Sequence, residues 1–64
     1  MNEEMVIMVR KALIKCFQIY GRTQYKGEVG NFEEVKTPQY GDVVTFQNKV
    51  FFFNTSYQWT EFNI

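Results

Sequence analysis

Two hydrophobic periodicities divide this chain. From Glu3 to Tyr20 apolar residues recur at helical spacing as Met5, Met8, Ala12, Cys16 and Ile19, and Val9, Leu13, Phe17 and Tyr20 widen the stripe. Lys11, Lys15, Gln18 and Arg22 lie opposite. This spacing predicts a helix over residues 3–20. Asn2 is a suitable N-cap, Glu3 and Glu4 suit the positive end of the helix dipole, and Gly21 is a natural stop. Ile7 and Ile14, seven apart, fall near the polar side, so the helix has apolar residues facing two ways. Such a helix is expected to meet two surfaces, its own sheet and a neighbouring chain. A strand pair competes, because Met5–Val9 and Cys16–Tyr20 are also rich in residues that strands accept; helix is the better fit.

From Asp42 the period changes to two. Val44 and Phe46 share one face of a strand, Val43 and Thr45 the other. Gln47-Asn48 suits a two-residue turn, since Asn tolerates the left-handed backbone such turns need. Val50 and Phe52 then alternate with Phe51 and Phe53. Asn54-Thr55-Ser56 reads as a second turn, and Tyr57–Phe62 as a third strand with Tyr57, Trp59 and Glu61 facing one way. Between helix and strands, residues 21–41 hold all four glycines and the only proline, Pro38. There Gln24–Val29 is a candidate short strand. Asn31–Val35 is a candidate helical turn, with Asn31 as cap and Glu34 three residues on.

These elements predict one α+β domain over 1–64, an N-terminal helix (1–21) packed on a three- to four-stranded antiparallel β-meander (25–62). With 64 residues the core is thin, and a chain this small usually relies on disulfides, a metal or a partner. Cys16 is the only cysteine and there is no histidine, so neither an internal disulfide nor a one-chain structural zinc site is expected. Dense aromatic packing or oligomerisation remains; aromatic residues make up 19% of the chain.

Seven basic and seven acidic residues cancel, so net charge argues for neither nucleic acid nor membrane. Between Glu4 and Glu28, however, every charged residue is positive: Arg10, Lys11, Lys15, Arg22 and Lys26. A solvated helix face is the plain reading, and a contact for an acidic partner surface is the sharper one. No RNA- or DNA-reading motif accompanies the charges. No signal peptide is evident, and no apolar run approaches a membrane span.

Catalytic chemistry is not legible. Without histidine there is no Ser-His or Cys-His pair. Glu33 and Glu34 are adjacent and point apart, Gly27-Glu28-Val29-Gly30 is no phosphate loop, and Cys16 lies on the apolar stripe. No catalytic, cofactor or metal residue is assigned, and a non-enzymatic binding role is expected. Phe51-Phe52-Phe53 puts rings on both sheet faces. Either helix and loop cover them, or leftover aromatic surface meets another chain or a sugar.

From Tyr25 onward the residue order resembles a small β-module of tailed-bacteriophage virion proteins, of the head-fibre and tail-fibre type. The residues carrying the resemblance are Tyr25-Lys26-Gly27-Glu28-Val29, Phe32-Glu33-Glu34-Val35, Gly41-Asp42-Val43, Val50-Phe51-Phe52-Phe53 and Trp59-Thr60-Glu61-Phe62. The motifs are short, and their order carries the likeness. Two departures stand out: Gln47-Asn48 and Asn54-Thr55-Ser56 take the place of glycine-bearing turns. The resemblance implies a phage structural or accessory protein, made in the host cytoplasm and carried in the virion, that binds copies of itself or other virion proteins. Residues 1–20 would then be its oligomerising segment.

Tyr40-Gly41-Asp42-Val43-Val44-Thr45-Phe46 with Phe51 is also similar to the hairpin of small chitin- and cellulose-binding modules, which would make Tyr40, Tyr57 and Trp59 sugar-stacking rings. Phe52 joins these three as a candidate partner-binding aromatic. A small phage-encoded inhibitor of a host protein is a third expectation, with the basic Arg10–Lys26 segment as its contact.

Overall fold

The computed structural model describes residues 2–63. Helix α1 spans Glu3–Tyr20, followed by β1 (Gln24–Glu28), a single 3₁₀ turn (Phe32–Glu34), β2 (Asp42–Phe46), β3 (Lys49–Phe53) and β4 (Trp59–Glu61). The helix begins and ends where its local chemistry indicates. The Asn2 side-chain oxygen accepts from the Met5 amide at 2.8 Å. At the other end Gly21 adopts φ +75° and donates its N–H to the Phe17 carbonyl. That left-handed closure suits glycine, which has no Cβ to clash.

The four strands form one sheet in the order β1-β2-β3-β4. β2–β3 and β3–β4 are antiparallel hairpin pairs, as expected. β1 and β2 run parallel, which corrects the all-antiparallel meander. The reason is the connection. Parallel neighbours need a long crossover rather than a tight turn, and residues 29–41 supply one. The β1–β2 register shifts between Tyr25 and Gly27, so Lys26 is the bulged residue on this edge strand.

Gln47 and Asn48 have φ of +52° and +62°, the two-residue reversal expected at that position. The second hairpin is different. β4 begins at Trp59, not Tyr57, and Tyr57 belongs to the turn with φ +60°. Asn54 organises this turn: its side-chain oxygen accepts from the Ser56 and Gln58 amides, and its Nδ2 donates to the Thr60 hydroxyl. The Asn54 amide also pairs with the Gln58 carbonyl across the loop. Three residues between paired positions, the last left-handed, form a loop that usually places glycine where Tyr57 stands.

α1 packs on one face of the sheet. Val9, Ala12 and Cys16 meet Val43 and Val50, bordered by Met5, Met8, Leu13, Tyr20, Tyr25, Phe52 and Phe62. Val43 and Val44 are both fully buried although adjacent strand residues point to opposite faces, so both faces are covered. The crossover covers the second face. Its Phe32 ring lies 5.0 Å from Phe46, 5.0 Å from Phe51, and stacks on Trp59 at 5.4 Å and 13°. Phe53 meets Trp59 edge-on at 4.9 Å. The 3₁₀ turn presenting Phe32 is held by Glu34, whose carboxylate accepts from the Gly30 and Asn31 amides. The thin sheet is therefore the middle of three layers, and dense ring packing fills its second face.

Candidate binding surfaces

α1 buries only the centre of its predicted stripe. Phe17 and Ile19, expected on the core side, are 62% and 55% exposed. The helix lies mainly over the central strands β2 and β3, so positions on either flank overhang them. On one flank Val6, Phe17, Ile14 and Ile7 fall within an arc of about 100° at the helical repeat, with Arg10 among them. All four apolar side chains are exposed, Ile14 at 59%. Ile7 and Ile14 thus face solvent away from the sheet, as their position on the helix indicated.

The basic residues separate. Arg10, Lys11 and Lys15 are exposed on α1, and Lys26 is exposed on the edge strand β1. Arg22 is engaged within the fold. Its Nη1 lies 3.2 Å from the Asp42 carboxylate and donates to the Tyr40 carbonyl, and its guanidinium sits 5.9 Å from the centre of the Tyr40 ring. Asp42 is 1% exposed, and its second carboxylate oxygen accepts from the Gln39 amide at 2.9 Å. Arg22 and Asp42 tie the end of α1 to the start of β2 and fix the backbone that presents Tyr40. Asp42 was not singled out from the sequence. Beyond its place in Gly41-Asp42-Val43, its signal there was a carboxylate at the start of an apolar strand, which reads equally well as an exposed end.

The four candidate aromatics also separate. Trp59 is clamped between Phe32 and Phe53 on the covered face, and Phe52 packs under α1. Tyr40 and Tyr57 are exposed, at 45% and 83%. They line one open groove of about 400 Å³ with Pro38, Gln39, Asn54 and Thr55. The groove joins the end of the crossover to the tip of the β3–β4 hairpin, segments far apart in the chain, which is why sequence reading missed its other residues. Tyr20 supports the Tyr40 ring at 5.5 Å, and Phe53 stands edge-on to Tyr57 at 6.3 Å.

Cys16 is buried, and burial pushes its thiol pKa up, partly opposed by a hydrogen bond with Thr23. Burial also raises the Tyr20 hydroxyl. A thiol held protonated in an apolar core is a weak nucleophile. Among the described residues no three of His, Cys, Asp and Glu gather where they could hold a metal ion, and no helix is long and apolar enough to cross a membrane. Comparison with family models, curated proteins and solved structures finds no match for this chain.

Proposed function

We propose that this protein is a non-catalytic assembly component that works by protein–protein binding, with the outer flank of α1 as its self-association surface. The observation that carries this reading is the exposed row Val6, Ile7, Ile14 and Phe17, on a helix whose other side already fills the core. Four side chains about half exposed leave roughly 300–400 Å² of apolar surface, a size at which patches on soluble chains mark interaction sites. The charges favour an antiparallel pair. Glu3 and Glu4 occupy the first turn of α1. A two-fold antiparallel arrangement keeps the acidic starts of the two helices apart and opposes the helix dipoles. A parallel pair would set Glu3 and Glu4 against their own copies.

The resemblance of residues 25–62 to fibre-type virion modules supplies the setting, a component of a phage capsid or tail assembly. The sheet's role in that reading narrows. Phe46, Phe51, Phe53 and Trp59 are occupied by Phe32 and by one another, so docking on a neighbour falls to α1 rather than to the aromatic sheet.

Light scattering at several protein concentrations tests the proposal. The wild-type chain is expected to be a symmetric oligomer, and Ile14→Glu with Phe17→Glu a folded monomer, because both side chains point away from the core. A wild-type chain that stays monomeric at high micromolar concentration would overturn it.

A further inference from the structure

We infer that the Tyr40–Tyr57 groove is a binding site for a neutral carbohydrate. Three features of the groove converge on this assignment, and none involves the outer flank of α1.

The first is backbone strain kept beside an exposed ring. Tyr57 has φ +60° in a loop position where glycine is the easier residue, yet its side chain is 83% exposed. A bulky residue in the left-handed region is uncommon, and strain of this kind gathers at ligand sites. The side chain contributes little burial to offset it; its neighbour within the fold is Phe53, edge-on.

The second is that the Tyr40 ring and the loop backbone carrying Tyr57 are held before any ligand arrives. Tyr40 is held by Tyr20 and by the Arg22 guanidinium, itself fixed by Asp42, and Tyr57 is held by the Asn54 hydrogen bonds that shape its loop. Aromatic surfaces fixed in advance lose little freedom on binding.

The third is the lining. The groove falls within the roughly 300–1,000 Å³ of small-molecule sites, and it is made of two phenols, a proline, two side-chain amides and a threonine hydroxyl, with no charged side chain. Among the described residues neither the Tyr40 nor the Tyr57 hydroxyl is hydrogen-bonded within the chain, whereas the Asn54 side-chain oxygen accepts from two backbone amides and its Nδ2 donates to Thr60. The polar groups left for a ligand are therefore the two phenols, the Gln39 side-chain amide and the Thr55 hydroxyl. A pyranose matches both halves of this lining: its C–H face rests on an aromatic ring, and its hydroxyls exchange hydrogen bonds with phenol, amide and hydroxyl partners. An anionic ligand finds no cation in the lining.

The test is an NMR titration of the full chain with neutral tetrasaccharides of β-1,4-glucose, β-1,4-N-acetylglucosamine and α-1,4-glucose, and with a proline-rich peptide as the rival ligand for an aromatic groove. At least one sugar is expected to shift the amides of Gln39, Tyr40, Thr55 and Tyr57 at millimolar concentration. Tyr57→Gly suits the local backbone and so keeps the fold, and it should weaken that binding about tenfold or more, as should Tyr40→Ala. Sugar binding that Tyr57→Gly leaves unchanged overturns the assignment. So does a response to the peptide alone, or to none of the probes.

Discussion

Alanine in place of Gly41 should be far more costly than alanine in place of Gly21, although both glycines have positive φ, +90° and +75°. The two sites share the backbone strain of an L-residue there, about 1–2 kcal/mol. They differ in space. A Cβ at Gly21 meets nothing, whereas one at Gly41 would run into the backbone carbonyl of Arg22, which cannot rotate aside as a side chain can. Moving Gly41 away endangers the bonds that join β1 to β2, since its carbonyl accepts from the Gln24 amide and the Thr23 hydroxyl, while its amide donates to the Phe53 carbonyl of β3. Losing the two bonds at its carbonyl adds about 2 kcal/mol, and forced displacement in a packed site adds roughly 1–3 kcal/mol. The expected cost is thus about 4–7 kcal/mol for Gly41→Ala against about 1–2 kcal/mol for Gly21→Ala. A chain of this size has roughly 3–10 kcal/mol in all, so Gly41→Ala should be barely folded or unfolded. Urea denaturation followed by circular dichroism measures both. Two midpoints whose stabilities agree within about 1 kcal/mol would refute the argument that close approach at Gly41 holds the parallel pair together.

Removing Arg22 strands the buried Asp42 carboxylate; Arg22→Ala should cost roughly 2–3 kcal/mol after allowing for its partial exposure, and much of that loss should vanish in an Asp42→Asn background, as a double-mutant cycle would read. Phe32→Ala uncovers the second sheet face and should cost about 2–4 kcal/mol, with the fluorescence of Trp59 moving to the red in the still-folded fraction as its stacking partner disappears. Cys16 should react with thiol reagents only through opening of the fold, so that its rate at fixed reagent concentration rises with denaturant as the open fraction does. Its thiol pKa is raised by folding, so above its ordinary value of 9.0 the unfolded chain loses the proton first. Stability should therefore be complete below about pH 9 and fall as pH rises through the native value, a trend that Cys16→Ala should reduce and that Tyr20 shares. Equal alkaline loss in the alanine variant would refute the assignment to Cys16.

Features set by neighbours in the chain were legible from sequence. Asn2, the first-turn glutamates and Gly21 delimit α1 through bonds that span only three or four residues. Gln47-Asn48 makes its reversal from its own backbone preferences, and the period-two pattern marks β2 and β3. The 3₁₀ turn at Phe32–Glu34 follows from Glu34 reaching back to Gly30 and Asn31. What remained undecided depends on which distant segments meet. A strand carries no mark of its partner's direction, so the parallel pairing of β1 emerged only from the path of residues 29–41 across the sheet. That same path decides that Phe46, Phe51 and Trp59 are core, while Tyr40 and Tyr57 are left in the open. Periodicity shows that α1 has apolar residues on two sides, but not how far the sheet reaches beneath it, so the exposure of Phe17 waited on the width of the layer below. Asp42 is acceptable in the interior only because Arg22 and the Gln39 amide converge on it, and convergence of that kind is a property of the folded chain.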